Sequence, residues 1–184
     1  KRLQVTPKIL TGDQADVAAS ICRRVKIPSE IILTGADLDQ MTDDELGKTV
    51  EDIHVFAELT PGQKVRIVSA LRQNGHTVGF LGDGINDIPA FCESNVGISV
   101  DTAVDAAKDA ADVVLLQKDL GVLEQGILEG RKTFTNMLKY IKITASSNFG
   151  NIFSIVCASA FLPFLPMTSL QILSLIHISE PTRL

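Results

Sequence analysis

Short apolar runs alternate with segments of helical periodicity along most of the chain. The runs cover residues 7–10, 76–82, 95–100 and 112–116, and β-branched residues are frequent in the last three. Strands that are covered on both faces of a parallel sheet have this nearly uninterrupted apolar composition. The pattern therefore predicts a strand in each run.

The longer segments between these runs predict helices. In the first, Val17, Ile21 and Val25 recur at helical spacing and lie on one helical face. Another helix is expected to begin after Thr60, which can cap it, and to end before Gly75.

Two further segments predict shorter helices. Residues 99–112 are rich in alanine and lie between two predicted strands. Residues 35–52 are acidic, and Thr42 with Glu45 fits a capping box, which predicts a surface helix. This alternation of strands and helices predicts an α/β domain with a doubly wound parallel sheet.

Two polar, glycine-containing turns follow predicted strands. Residues 11–13 read Thr-Gly-Asp, and residues 82–84 read Gly-Asp-Gly. Ligands bind at the carboxyl ends of the strands in doubly wound sheets. We therefore expect both turns at the same edge of the sheet.

The second turn predicts a metal-assisted phosphate site. Asp83 and Asp87 can converge on one point, where two carboxylates facing phosphate oxygens would hold Mg²⁺. Lys64, in the first turn of its helix, can reach the same phosphate. The alternative is an ordinary loop in which Asp83 caps a helix, Asn86 closes a turn, Thr11 is a turn cap and Lys64 is a solvated surface residue.

Net charge and cysteine content narrow the function classes. The net charge of −5 provides no basic face for nucleic acid, so no nucleic-acid partner is expected. The three cysteines have no paired spacing typical of zinc or of a disulfide framework, which favours a reducing compartment.

A segment without charged residues begins at Ile143 and runs through Leu162. In helical form it is long enough to cross a bilayer core of roughly 30 Å. The four basic residues just before it predict a cytoplasmic flank, and they are Arg131, Lys132, Lys139 and Lys142. We therefore expect residues 1–142 in the cytoplasm and a transmembrane segment at 143–173; the alternative is a buried core helix.

Three motifs together resemble the haloacid-dehalogenase-like phosphorylation domain of P-type ATPases. They are KILTGD at residues 8–13, AELTPGQK at 57–64 and LGDGINDIPA at 81–90, in the family's order and spacing. The resemblance covers almost the whole chain. It implies a dehalogenase-like, doubly wound fold, with ATP and Mg²⁺ as cofactors and phosphoryl transfer as the reaction.

The resemblance also implies roles on the phosphoryl side of the site. Thr11 and Gly12 would contact the phosphoryl group, and Asp13 would help to order the site. Lys64 would neutralise the aspartyl phosphate. Phosphoryl transfer depends mainly on positioning and on neutralising charge, which a lysine and a metal ion supply.

On the metal side, the resemblance implies that Asp83 and Asp87 bind Mg²⁺ and that Asn86 supports them. The family's nucleophile lies in an Asp-Lys-Thr-Gly-Thr motif, which does not occur in these residues. Without a nucleophile no covalent intermediate can form. We therefore expect an inactive carboxy-terminal piece of a pump, whose partners would include the remainder of that pump with its nucleotide-binding domain.

The resemblance implies the following organisation: residues 1–130 are the carboxy-terminal part of the phosphorylation domain, 131–142 a helical stalk and 143–173 a transmembrane segment. The stretch ASSNFGN at residues 145–151 resembles the family's fifth transmembrane helix. Its parent would be a multi-pass protein in the plasma membrane of a bacterium, in contact with the lipid bilayer.

Asn148 and Asn151 are candidate residues of an ion path, because polar residues inside a bilayer are costly and usually functional. Helix packing through Ser146, Ser147 and Gly150 is the alternative. A calcium pump would have a glutamate at position 151, and the segment resembles the magnesium-importing branch, so Mg²⁺ is the expected cargo. Neutral amides suit a cation that keeps much of its water.

Several alternatives stay open from sequence. The chain could be a soluble dehalogenase-like phosphatase, a calcium or other cation-transporting P-type ATPase, or a docking module that keeps the fold without catalysis. Residues 174–184 resemble a translated adaptor sequence and are expected to be an artefactual tail, with a genuine hydrophilic terminus as the alternative.

Overall fold

The computed structural model describes residues 3–25, 27–28, 30–117 and 119–161. The chain divides into two compact units, with the boundary between Gly126 and Ile127. The predicted tail at 174–184 lies outside the described residues, as does the predicted membrane segment beyond Phe161.

The first unit is an α/β structure with two three-stranded parallel sheets, of order β1-β3-β2 and β4-β5-β6. Its strands are β1 (Ile9–Leu10), β2 (Ile32–Thr34), β3 (Val55–Ala57), β4 (Gly79–Leu81), β5 (Val96–Val100) and β6 (Val113–Leu115). The four predicted strands are confirmed. The sequence analysis did not predict β2 and β3, which span three residues each.

Helices connect the strands as the alternation predicted. They are α1 (Ala15–Val25), α2 (Gly35–Gln40), α3 (Asp43–Asp52), α4 (Pro61–Gln73), α5 (Ile88–Glu93), α6 (Asp105–Ala110) and α7 (Leu120–Phe161), with a 3₁₀ turn at Ile85–Asp87. Capping boxes start α2, α3 and α4, from Thr34, Thr42 and Thr60. Gly75, just past α4, has a φ of +87°, which explains why a glycine ends this helix.

The single surface helix predicted for residues 35–52 is wrong in two respects. The segment forms two helices, α2 and α3, and α3 places Leu46 and Val50 fully inside the core. These two residues are four apart, so they share the helix face that packs inward.

The predicted apolar face of α1 is the exposed one. Val17 and Ile21 are each 46% exposed, whereas the smaller Ala18 and Cys22 pack against Val55 and Ala57 of β3. Ala18 and Cys22 are four apart, as Val17 and Ile21 are, so both pairs fit an apolar helical face and periodicity alone does not identify the buried one.

The core of the first unit is continuous at the strands that carry the two polar turns. Leu10 of β1 and Val78, just before β4, each pack against both of the larger buried clusters. The central strand β3 is buried along its whole length. The segments that lead into the two turns are therefore anchored in the core at Leu10 and Val78.

In the second unit α7 continues to Phe161. None of the described helices combines the length and the hydropathy that a membrane crossing requires. The transmembrane segment at 143–173 stays a prediction, since the structure describes it only to residue 161.

Candidate functional site

The Thr11–Asp13 turn directly follows β1 and orients the Thr11 hydroxyl. The backbone N–H of Thr11 donates to Phe56 O at 3.0 Å, which extends the β1–β3 pairing. The Thr11 hydroxyl donates to Asp13 Oδ2 at 3.0 Å and accepts from the Asp13 N–H at 3.1 Å. Gly12 and Asp13 are exposed, so this turn presents an ordered hydroxyl to solvent.

The segment after β3 holds this turn in place. The Leu59 N–H donates to Thr11 O at 3.0 Å, and the Glu58 N–H donates to Asp13 O at 2.9 Å. The chain then enters α4, whose first turns contain Lys64. Glu58 was not among the predicted site residues, because its position in the sequence gives no signal beyond that of an ordinary charged loop residue.

The turn at residues 82–87 is built around a close backbone approach. The Gly82 N–H donates to Ile98 O at 3.0 Å, which keeps Gly82 beside β5. A Cβ at Gly82 would lie 2.6 Å from Asp87 Oδ2 and 2.8 Å from Asp87 Cγ. Glycine at this position therefore makes room for the Asp87 carboxylate.

Lys64 and Asp87 form an ion pair at this turn. Lys64 Nζ lies 2.7 Å from Asp87 Oδ1, and each side chain is 13% exposed. Both charged groups have lost most of their contact with water, so each depends on the other for compensation. The pair places an ammonium group in the turn after β4, and the predicted contact of Lys64 with a phosphate stays a prediction.

Asp83 and Asp87 lie in different environments. Asp83 is exposed, its side chain makes no hydrogen bond to a described residue, and it caps no described helix. Asn86 is exposed in the same turn. The structure thus brings Asp87 to Lys64 and leaves Asp83 facing solvent.

The carboxylates of this turn fit part of the ligand set that Mg²⁺ prefers. Among the described residues, no group of three or more His, Cys, Asp or Glu side chains could enclose a metal ion. Mg²⁺ typically takes one or two carboxylates and completes its octahedron with phosphate oxygens and water. The free carboxylate of Asp83 suits that mode of binding.

An open cavity of about 320 Å³ lies beside Asp83 at the carboxyl ends of the second sheet. Its lining is Leu81, Gly82, Asp83, Val100, Leu115, Asp119 and Leu120. The cavity lies at the edge where ligands bind in doubly wound sheets.

Asn148 and Asn151 belong to α7 in the second unit. Asn148 is exposed and Asn151 is half-buried. Residues three apart on a helix are neighbours on its surface, so the two amides share one face. Their predicted role in an ion path stays a prediction.

Comparison with known proteins gives the family. No protein-family model matches the chain. Over 92% of its length, the chain is 57% identical to the Magnesium-transporting ATPase, P-type 1, of Salmonella typhimurium (strain LT2). The protein of the same name from Escherichia coli (strain K12) is 56% identical over the same share. The chain is homologous to part of these P-type ATPases.

Other members of the family are more distant. A Calcium-transporting ATPase of Bacillus subtilis (strain 168) is 35% identical over 90% of the chain. The crystal structure of a zinc-transporting PIB-type ATPase in the E2.Pi state matches 93% of this chain and 23% of that chain, with a TM-score of 0.62 and 25% identity. The chain spans 19% of the length of the magnesium and calcium relatives.

Proposed function

We propose that this chain is the carboxy-terminal part of the phosphorylation domain of an ATP-driven cation pump, followed by the stalk and the start of a transmembrane helix. The pump would work through an aspartyl-phosphate intermediate. The observation that carries the proposal is the identity of 57% to a magnesium-transporting P-type ATPase over 92% of the chain. A soluble phosphatase is disfavoured because the similarity extends through the stalk.

In the proposed reaction, the γ-phosphoryl group of ATP passes to an aspartate carboxylate outside this chain, and ADP leaves. The Thr11 hydroxyl and the Gly12 backbone contact the phosphoryl group, and Asp13 holds that hydroxyl in one orientation. Lys64 supplies positive charge to the phosphoryl oxygens. Asp87 positions the Lys64 ammonium through the contact of 2.7 Å.

On the metal side, Asp83 offers its exposed carboxylate and Asn86 supports the turn. When bound, Mg²⁺ neutralises charge on the phosphoryl oxygens. Asp87 is the second candidate ligand, through the carboxylate oxygen that does not face Lys64. Electrostatic stabilisation by pre-positioned groups is the main source of rate in phosphoryl transfer.

The proposed cargo is Mg²⁺, moved across the plasma membrane of a bacterium. Identity to the two proteins named for magnesium transport, 57% and 56%, exceeds the 35% identity to the protein named for calcium transport. Asn148 and Asn151 would line the path of the cation, with residues 1–142 in the cytoplasm and residues 143–173 in the bilayer.

Uptake and phosphorylation assays on the intact ATPase that carries this chain test the proposal. Expressed in bacteria that lack their own magnesium uptake systems, it should restore growth at low magnesium. It should also form an acid-stable phosphoenzyme from ATP. Asp83→Asn should abolish Mg²⁺-dependent phosphoenzyme, whereas Asn151→Ala should leave phosphorylation possible and change its dependence on the transported ion.

Three outcomes would count against parts of the proposal. Calcium uptake without magnesium uptake would show that the transported cation is calcium and not Mg²⁺. Normal phosphoenzyme in Asp83→Asn would refute the metal assignment. Phosphatase activity without a phosphoenzyme that responds to a transported cation would favour the soluble-phosphatase alternative.

A further inference from the structure

Glu58 adopts a backbone conformation that residues other than glycine rarely take. Its φ is +57°, in the left-handed region, where the Cβ of an L-residue crowds the backbone. Such strain persists only where surrounding contacts determine the conformation, and it concentrates at functional sites. Glu58 lies between β3 and the Thr60 cap of α4, so the strain falls between the two parts of the candidate site.

Contacts on three sides hold Glu58 in place. Its N–H donates to Asp13 O at 2.9 Å. Its side-chain Oε1 accepts from the Ala15 N–H, at the start of α1, at 3.3 Å. Its carbonyl oxygen would be 2.5 Å from a Cβ on Gly35, so glycine at the start of α2 allows the close approach. The left-handed conformation is therefore built into the packing of α1, α2 and β3.

The turn at Glu58 directs the Leu59 N–H toward Thr11, on the phosphoryl side of the site. The Leu59 N–H donates to Thr11 O at 3.0 Å, immediately before the chain enters α4. Two successive amides, at positions 58 and 59, thus bind the carbonyls on either side of Gly12. The same backbone then leads into the helix that carries Lys64.

We propose that Glu58 is a positioning residue for phosphoryl transfer, an inference that rests on the proposed function. Its left-handed conformation sets the placement of the Thr11 hydroxyl relative to the start of α4, and so relative to the Lys64 ammonium. Both groups then act on one phosphoryl group. Glu58 touches neither phosphate nor nucleotide in this role and acts through the Thr11–Asp13 turn and α4.

The test compares substitutions at Glu58 that differ in their tolerance of the left-handed conformation, made in the intact ATPase. Glycine adopts it freely, asparagine tolerates it, and β-branched valine resists it. Gln4 provides a matched control, because its φ of +54° is similar and it makes no hydrogen bond to the described site residues. Gln4→Val introduces the same backbone conflict at an exposed residue outside these contacts.

Three readouts separate positioning from general stability. The first is the level of phosphoenzyme formed from ATP. The second is the concentration of orthovanadate that halves the activity, since orthovanadate is an analogue of the phosphoryl group. The third is the hydrogen–deuterium exchange of residues 56–64 without ligand. All are measured below the melting temperature of every variant. Glu58→Val should lower phosphoenzyme and weaken vanadate inhibition about tenfold or more, because small displacements of positioning groups are costly.

Glu58→Gly and Glu58→Asn should restore phosphoenzyme and vanadate inhibition toward wild type, and Gln4→Val should leave both unchanged. If Glu58→Val cannot be purified folded, a Glu58→Gly variant with strongly impaired phosphoenzyme would still refute the proposal, since its backbone is compatible. Equal effects of Glu58→Val and Gln4→Val would also overturn it. If the wild type and Glu58→Val both form normal phosphoenzyme, the role of Glu58 is refuted and the proposed function stands. If the wild type forms no phosphoenzyme, the proposed function is refuted as well.

Discussion

Lys64 Nζ lies 2.7 Å from Asp87 Oδ1, and the two side chains, 23 residues apart in sequence, are each 13% exposed. This contact joins α4 to the 3₁₀ turn at Ile85–Asp87. It is the point at which two of the three sequence motifs meet.

Removing one partner of this pair should destabilise the protein. Asp87→Asn leaves the Lys64 ammonium largely desolvated without a counter-charge, at a cost on the order of 2–3 kcal/mol in the free energy of unfolding. Thermal unfolding of single and double variants, with Lys64→Met as the second change, would measure the coupling. Additive effects of the two changes would show that the pair contributes no coupling energy.

Gly82→Ala should destabilise the turn that holds Asp87. The added Cβ would meet Asp87 Oδ2 at 2.6 Å, so the carboxylate must move, at a cost of about 2 kcal/mol. Gly62→Ala in α4 is the control, since beyond the backbone of its own helix no atom lies within 4 Å of its Cβ position. That variant should be neutral or more stable by up to about 1 kcal/mol. Equal melting temperatures for the two variants would contradict the close approach.

Lys8→Met should loosen the end of α3. Lys8 Nζ donates to Glu51 O at 3.0 Å and to Ile53 O at 2.7 Å, and burial lowers the pKa of this ammonium against the opposing effect of Glu51 and Asp52. Losing bonds to the last carbonyls of the helix should cost about 1–2 kcal/mol. Lys48→Met, on the exposed side of α3, is the control. If the melting temperature of Lys8→Met is no lower than that of Lys48→Met, Lys8 does not stabilise the end of α3.

Stability of the first unit should fall in acid through hydrogen-bonded carboxylates. Bonds from Thr34 lower the pKa of Asp37, bonds from Thr42 lower that of Glu45, and bonds from Asn74 and His76 lower that of Glu51. Because these folded-state pKa values are depressed, the stabilisation is complete above the ordinary values of the carboxyls, 3.8 for Asp37 and 4.5 for the two glutamates, and is lost as the pH falls through the lowered values.

Melting temperatures recorded between pH 6 and 3, the range that brackets ordinary carboxyl pKa values, would measure this loss. Glu45→Gln keeps an oxygen acceptor for Thr42 and removes the titration, so the decline should be shallower in that variant. An identical pH profile for Glu45→Gln and the wild type would exclude a contribution from that capping box.

Local signals in the sequence determined much of the first unit. The caps at Thr42 and Thr60, the glycine after α4 and the strands β4 to β6 were all predicted, because caps and strand patterns depend on residues a few positions apart. The motifs also led to the P-type ATPase family. The catalytic roles of the motif residues stay predictions.

Tertiary structure alone decided which groups meet. The partner of Lys64, the left-handed Glu58, the inward face of α1 and the pairing of β3 between β1 and β2 depend on packing between segments distant in the chain. Apolar periodicity identifies a helix but cannot say which side chains are small enough to face a strand. Likewise, the position of the neighbouring helix decides whether a carboxylate in a turn forms an ion pair or stays exposed to solvent. Asp87 pairs with Lys64 of α4, whereas Asp83 stays exposed.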